Sequence, residues 1–356
     1  MNRSRTDSHS ASILIAHGPT TLALLLVVWT IVSACSEEMI PFNTVEKFRV
    51  LSLQAEPPAL AEGEATVVSA LLFSKEDNLD QVSYEWSWCP IAVNASGGGD
   101  CIVSEEMLGE SAQQIAEQAV RENADVLPEG TDVSALLDTF QLSYDLGTGP
   151  TATFPYAVPS ELLLDLCDSL LAEEIPSGVS IPDCHEKLNI VIRLKATLGD
   201  ASIIAIKNVP LYIDAARADN ENPTVGGLSV FDKNGDVPDL SDEMPLLYRG
   251  ETYTLEADID ASASQTFVPY PTDADSDPLP VREYLFMTWY TGGGETDAAR
   301  TTFLDGEVPM STLRTNTWTL PRSVDYPFDE ISLFLVLQDE RGGTGRLERR
   351  FAVGER

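Results

Sequence analysis

One pattern of alternating apolar and polar side chains occurs twice in this chain of 356 residues. Residues 63–70 read Gly-Glu-Ala-Thr-Val-Val-Ser-Ala, and residues 250–257 read Gly-Glu-Thr-Tyr-Thr-Leu-Glu-Ala. In each copy a glycine suits a turn, and the residues after it alternate with a period of two, as in a β-strand with one buried face. The repeat predicts two domains of the same β-rich kind.

Each copy is followed by the same kinds of strand. An aromatic strand comes next, at 82–88 in the first copy and at 284–290 in the second. A long apolar strand then turns into a return strand, over 188–209 and 331–353. Several short alternating strands separated by turns predict two sheets that pack face to face.

The order of these strands, with a tryptophan on a middle strand and a final hairpin, resembles immunoglobulin-like domains of bacterial surface proteins. The resemblance implies a mainly β fold with two immunoglobulin-like β-sandwich domains, at 48–215 and 224–356. A charged, proline-terminated linker at 216–223 joins them. The resemblance also implies that Trp86 and Trp289 pack between the sheets rather than stack on a ligand.

The first copy is longer than the second between its aromatic strand and its long apolar strand. These additional residues, about 104–176, have a composition that predicts helix. Ser111 to Gln114 fits a capping box, and Pro159 opens a second helix that Pro176 ends. We therefore expect a helical insertion in the first sandwich, and an insertion on a rigid scaffold is a usual place for a specific partner to bind.

The N-terminal residues have the pattern of a signal peptide. Arg3 and Arg5 place positive charge at the start, and a short apolar run over 21–34 follows. A spanning helix needs about 20 apolar residues. The shorter run favours a signal-peptide core over a membrane span.

The apolar run ends in Val-Ser-Ala directly before Cys35, which resembles the lipobox of bacterial lipoproteins. The resemblance implies a cleaved lipoprotein signal peptide at 1–34 and a diacylglyceryl group on Cys35. The module would then be exported and held at the membrane through that lipid, with 35–47 as a polar tether. Ser36 implies the outer membrane of a two-membrane bacterium. An uncleaved single-helix anchor and ordinary secretion are the alternatives.

The other four cysteines indicate two disulfides, because an even number in an exported chain usually pairs. Four cysteines allow three pairings. The pairing of Cys89 with Cys101 and of Cys167 with Cys184 closes short loops and is favoured. A metal site is less favoured, since no Cys-x-x-Cys spacing occurs.

The chain is strongly acidic, with a formal net charge of −35 at pH 7. Its hydrophobic fraction of 43% is enough for packed cores, so the chain is not a disordered acidic polymer. The negative charge opposes binding to nucleic acid and to anionic lipid surfaces. We therefore expect no nucleic-acid partner. The expected contacts are with the membrane through the lipid, and with an envelope protein or a glycan.

Two acidic loops are candidates for a calcium site, and calcium is the one cofactor that the sequence leaves open. Asp232, Asn234 and Asp236 place oxygen ligands at alternate positions, as in an EF-hand loop, but Val237 stands where that loop needs glycine. The second loop has aspartates at alternate positions: Asp273, Asp275 and Asp277. A solvated surface turn is the favoured alternative for both loops.

The sequence contains no catalytic motif that would define an enzyme. It has no Gly-x-Ser-x-Gly elbow and no phosphate-binding glycine loop. After residue 34, His185 is the single candidate base for a Ser-His-Asp triad. We therefore predict a non-catalytic structural or binding module. The alternatives are a carboxylate-based glycan hydrolase and a lipoprotein subunit of an envelope assembly.

Overall fold

The described part of the chain is mainly β. A computed structural model describes residues 41–76, 78–90, 101, 103–109, 113, 143–155, 164, 187–212, 219–235, 244–269, 278–322 and 329–356. Residues Phe42–Arg356 form one compact unit. Within it the strands form two sandwiches.

The first sandwich is built from strands β1 to β8. One sheet has the order β1-β3-β6, and the sheet facing it has the order β2-β8-β7-β4-β5. Neighbouring strands are antiparallel except for β2 and β8, which are parallel. The bounds are β1 (Arg49–Glu56), β2 (Leu60–Ala61), β3 (Ala65–Phe73), β4 (Ser83–Cys89), β5 (Asp145–Gly147), β6 (Thr151–Pro155), β7 (Lys187–Leu198) and β8 (Ala201–Tyr212).

The second sandwich is built from strands β9 to β19 and has sheet orders β15-β17-β11-β9 and β10-β19-β18-β14-β16. Strands β12 and β13 form a separate two-stranded ribbon. The bounds are β9 (Gly227–Phe231), β10 (Leu246–Tyr248), β11 (Thr252–Asp258), β12 (Thr266–Phe267), β13 (Val281–Arg282), β14 (Leu285–Thr291), β15 (Glu295–Thr296), β16 (Arg300–Phe303), β17 (Thr315–Thr319), β18 (Glu330–Asp339) and β19 (Thr344–Gly354). A short helix, α1 (Met310–Arg314), precedes β17, and 3-10 turns occupy Leu79–Gln81 and Ala261–Ala263.

The two sandwiches share one topology. In each, the first strand joins one sheet (β1, β9), and the next strand crosses to the other sheet, where it runs parallel to the final strand (β2 with β8, β10 with β19). The final two strands form a long hairpin in both copies. This arrangement is the immunoglobulin-like sandwich. The predicted mainly β fold with two such sandwiches is confirmed.

The helical insertion predicted for 104–176 is wrong over part of that range. Strands β5 and β6 lie inside it, and they extend the two sheets by pairing with β4 and β3. In the described part of the range, helix occurs at 105–109, Gln113 and Leu164. Ser104 caps the first of these through a hydrogen bond that its hydroxyl accepts from the Met107 N–H at 3.1 Å. A helical turn therefore already lies before Ser111, and the capping box at Ser111–Gln114 falls outside the described residues apart from Gln113.

The predicted core tryptophans are confirmed. Trp86 on β4 is 2% exposed, and Trp289 on β14 is 0% exposed. A buried indole N–H needs an acceptor. Trp86 donates to the carbonyl of Gly149 at 2.8 Å, and Trp289 donates to the hydroxyl of Thr301 at 2.9 Å. Each tryptophan therefore belongs to the hydrophobic core of its own sandwich.

One of the two predicted disulfides lies in the described part of the chain. Cys89, at the end of β4, is bonded to Cys101 with a Cα–Cα distance of 5.6 Å. This pairing is confirmed. Cys167 and Cys184 lie outside the described residues, so their pairing stays a prediction.

The predictions for residues 1–35 also lie outside the described residues, because the structure describes the chain from residue 41. The signal peptide at 1–34 and the lipid on Cys35 therefore stay predictions. Among the residues that are described, no helix has both the length and the apolar character needed to cross a bilayer.

Candidate functional site

The two sandwiches meet along a contact that we call the seam, and an apolar cluster lies within it. Phe73 on β3 and Phe334 on β18 pack edge to face, with ring centroids 5.8 Å apart and an angle of 85°. Val45 and Leu51 complete the buried cluster, which is separate from both sandwich cores. An aromatic pair of this geometry adds about 0.5–1.5 kcal/mol beyond the effect of area burial. The cluster therefore joins the sandwiches directly.

The N-terminal segment is part of the seam. The Val45 N–H donates to the Thr291 carbonyl at 2.8 Å, and the Thr291 N–H donates to the Asn43 carbonyl at 2.9 Å. The side-chain amide of Asn43 also donates to the Trp289 carbonyl at 2.9 Å. A polar tether predicted over 35–47 is therefore wrong at its C-terminal end. There the chain pairs with the second sandwich before it enters the first.

The linker predicted at 216–223 is also held in the seam where it is described. The Asn222 side-chain amide donates to the Ala55 carbonyl of β1 at 2.7 Å. Its oxygen accepts from the Thr344 N–H of β19, again at 2.7 Å. One side chain thus bridges both sandwiches, so this part of the linker is an ordered contact rather than a solvated connection.

Two glycines on the final hairpin let the linker approach the second sandwich closely. A Cβ atom on Gly345 would lie 1.8 Å from the Pro223 carbonyl oxygen. A Cβ atom on Gly343 would lie 2.1 Å from an Asp339 carboxylate oxygen and 2.9 Å from Pro223. Any other residue type at either position would therefore displace the linker or the carboxylate.

A buried lysine crosses the seam. Lys207 lies opposite Ile192, a core residue of the first sandwich, and is itself 7% exposed. Its ammonium donates to the Gly342 carbonyl and, at 2.9 Å, to the Thr344 hydroxyl. Burial lowers the Lys207 pKa to about 8, although the nearby charge of Asp339 acts in the opposite direction. The turn between β18 and β19 of the second sandwich therefore supplies the acceptors that this amine needs.

A buried ion pair fixes the same turn from its other side. Arg341 donates to the Glu283 carboxylate, whose side chain is 0% exposed. The guanidinium also donates to the Asp219 carbonyl at 2.8 Å and to the Gln265 side-chain oxygen at 2.7 Å. Burial raises the Glu283 pKa, and the Arg341 hydrogen bond partly offsets that rise. Arg341 thus links the turn between β18 and β19 to the linker.

A groove with a volume of about 300 Å³ runs beside the seam. Its apolar part is formed by the end of β3 and by Phe334, and charged side chains surround it. The Arg350 guanidinium donates to Glu348 at 3.1 Å. Both sandwiches line it: Leu72, Phe73, Ser74, Lys75, Leu79, Asp329, Glu330, Ser332, Phe334, Glu348 and Arg350.

A second concavity, which we call the sheet recess, has a volume of about 390 Å³ and lies on the first sandwich. Strands β4 and β7, together with β5 and the turn that follows it, form its walls. Its lining residues are Glu85, Trp86, Ser87, Tyr144, Asp145, Thr148, Arg193 and Lys195. No local pattern in the sequence indicates this recess, because it depends on which strands become neighbours.

The first candidate calcium loop forms a hydrogen-bonded turn where it is described. The Asn234 N–H donates to one carboxylate oxygen of Asp232 at 2.7 Å, and the Asn234 side-chain amide donates to the other at 3.2 Å. In the described ranges, no cluster of three or more histidine, cysteine, aspartate or glutamate residues is arranged to hold a metal ion. The remaining candidate ligands lie outside those ranges: Asp236, Asp273, Asp275 and Asp277.

Comparisons with known proteins identify no family for the chain. No protein-family model matches it. No curated protein matches it at a significant level.

Several solved structures match the chain with low identity. One is native E. coli alpha-2-macroglobulin, at 11% identity and a TM-score of 0.21, where the match covers 87% of this chain and 17% of that one. A chimeric titin Z1Z2 tandem matches at 9% identity and a TM-score of 0.20, over 87% of this chain and 99% of that one. The four N-terminal immunoglobulin domains of a Dscam1 isoform match at 12% identity and a TM-score of 0.17, over 88% and 53%. The fold assignment above rests on the strand order of the chain itself.

Proposed function

We propose that the protein is a non-catalytic, lipid-anchored protein of the cell envelope, which presents two immunoglobulin-like sandwiches as one rigid structural or binding module. The observation that carries this proposal is the seam. It combines an apolar cluster, a bridging asparagine, a buried lysine and a buried ion pair. Such a contact restricts motion between the sandwiches, whereas domains joined by a small polar contact usually move.

The proposed anchor would hold this module close to the membrane. Asn43 is already bonded to the second sandwich, and eight residue steps (43 − 35) separate it from Cys35. An extended chain spans at most about 3.5 Å per residue, so the lipid would lie within about 28 Å of Asn43. A short attachment of this kind suits a module that works at the membrane surface.

Metabolic labelling with radioactive palmitate tests the anchor. Wild-type protein should carry the label and fractionate with membranes, whereas Cys35→Ala should lose the label and leave the membrane fraction. Ser36→Ala is the matched control, because it changes the adjacent residue and keeps the thiol, and it should stay labelled. Equal labelling of wild type and Cys35→Ala would overturn the lipid anchor.

The structural and binding roles predict different results when the protein is purified from the envelope. Chemical cross-linking in intact cells, followed by purification from detergent-solubilised membranes, should give a reproducible partner in the binding role. If that partner were present in a fixed molar ratio and its complex dissociated on loss of the protein, the chain would be a subunit of an envelope assembly. Recovery of the protein alone would favour a structural role.

A carboxylate-based glycan hydrolase is less well supported. The groove includes Asp329, Glu330 and Glu348, but its two phenylalanines pack on each other. Phe73 and Phe334 are 8% and 2% exposed, so neither ring offers a free face for a sugar. Purified protein should release no new reducing ends from cell-wall glycan. Release that Glu330→Gln abolishes would favour the hydrolase.

A further inference from the structure

We infer that the sheet recess of the first sandwich is a binding site for a carboxylate group, with the Arg193 guanidinium as its anchor. The site adds a ligand class to the proposed binding module and does not depend on the lipid on Cys35. A failed titration would therefore count against the recess alone, and failed palmitate labelling would count against the anchor alone.

The strand register turns Arg193 toward the recess. Its neighbours along β7, Ile192 and Leu194, are both 0% exposed and face the core. Side chains alternate between the faces of a strand, so Arg193 and Lys195 lie on the outer face. Arg193 is directly opposite Ser87 on β4, which also faces outward. The recess therefore has a guanidinium and a hydroxyl side by side.

The other charged side chains around the recess each have a partner of their own. The Lys195 ammonium donates to both carboxylate oxygens of Glu85, at 2.8 and 3.0 Å. Asp145 accepts a hydrogen bond from the Gly147 N–H at 2.7 Å, which fixes the turn after β5. Neither carboxylate forms an ion pair with Arg193 in the structure.

Arg193 itself forms no hydrogen bond or ion pair with any residue that the structure describes. The same holds for the hydroxyls of Ser87 and Thr148, which also line the recess. The guanidinium is thus partly buried and, among the described residues, unpaired, although the chain has a net charge of −35. Three residues that carry donor groups thus line a recess of about 390 Å³.

This donor set favours a carboxylate over a phosphate. A guanidinium presents a planar fork that matches the two oxygens of a carboxylate. A phosphate at neutral pH carries up to two negative charges, and the acidic surface of this protein repels a dianion more strongly than a monoanion. The carboxylate could come from a small organic acid or from a glutamate side chain of a peptide.

Nuclear magnetic resonance titration of the full-length protein tests the site. The probes are sodium acetate, the peptide Ac-Gly-Gly-Glu-Gly-Gly-NH₂, its glutamine counterpart and inorganic phosphate, with ionic strength held constant by chloride. The Arg193 Nε–H resonance should shift saturably with acetate, and the glutamine peptide should leave it unchanged. A shift with the glutamate peptide as well would identify peptide side chains as a source, and a shift with acetate alone would restrict the site to small acids.

Two variants test whether the resonance shifts arise from binding at Arg193. Arg193→Gln should weaken acetate binding at least tenfold, as read from the backbone resonances of Ser87 and Thr148. Arg349→Gln, which removes the same charge from an exposed position on β19, should leave binding unchanged. The inference would be overturned if the shifts matched those caused by chloride, if they survived in Arg193→Gln, or if phosphate saturated the site at lower concentration than acetate.

Discussion

The Lys207 ammonium of the first sandwich donates a hydrogen bond to the Thr344 hydroxyl of the second, at a distance of 2.9 Å. Lys207 occupies a core-facing position on β8, where a charged amine is costly unless it is paired. Its acceptors come from the other sandwich, so the first sandwich depends on the second to satisfy a group in its own β-sheet.

Replacing this amine should destabilise the protein. Lys207→Ala removes both hydrogen bonds and leaves the Gly342 carbonyl and Thr344 hydroxyl without their donor, a loss of about 1–3 kcal/mol. Lys233→Ala is the matched control, because its side chain is 61% exposed and forms a surface ion pair worth about 0–1 kcal/mol. Denaturant unfolding measures both variants, and equal losses would contradict the role of Lys207.

The same lysine gives a pH dependence of defined sign. Burial lowers its pKa to about 8 in the folded protein from the ordinary value of 10.5. Between these values the unfolded chain binds more protons, so the contribution of Lys207 to the free energy of unfolding rises with pH. The free energy of unfolding of wild type minus that of Lys207→Met should therefore increase from about pH 7.5 to pH 10. A difference that stays constant or falls would show that the amine is not buried.

Because the linker packs closely against Gly345, substitution of this glycine should destabilise the protein. A Cβ atom there would lie 1.8 Å from the Pro223 carbonyl oxygen, so Gly345→Ala must push the linker away. Such overpacking costs about 1–3 kcal/mol, and it should open the seam to proteases near Pro223. Gly109→Ala is the control, since its Cβ would meet nothing within 4 Å. Thermal melting and limited proteolysis that failed to distinguish the two variants would contradict the packing.

The ion pair of Glu283 and Arg341 should behave as a buried pair. Glu283→Ala leaves the Arg341 guanidinium without its carboxylate, and loss of one partner of a buried pair costs about 3–5 kcal/mol. Glu348→Ala removes one partner of the exposed pair with Arg350, which contributes about 0–1 kcal/mol. Urea unfolding of both variants measures the difference, and a loss below about 1 kcal/mol for Glu283→Ala would be inconsistent with burial.

The repeated strands and both core tryptophans could be predicted, because alternation along a strand is a local property of the sequence. Strands β5 and β6 could not, since each is short and the turn between them is rich in glycine. Their pairing with distant strands, rather than their own composition, makes them part of the sheets.

The seam could not be predicted for a different reason. No local pattern distinguishes Lys207, Asn222 and Gly345 from ordinary surface and turn residues. They become important only because the second sandwich packs against the first, and no local pattern encodes that contact. For the same reason, residues 43–45 resembled a polar tether in the sequence, although Val45 is 1% exposed in the structure.

A fixed orientation of the two sandwiches is the central claim, and residual dipolar couplings test it most directly. Backbone N–H couplings would be measured for the full-length protein in a weakly aligning medium and fitted separately for each sandwich. One alignment tensor should fit both sandwiches of the wild-type protein. In Gly345→Ala, each sandwich should need a tensor of its own. Two tensors of different magnitude in the wild-type protein would mean that the sandwiches move independently, which would contradict the claim.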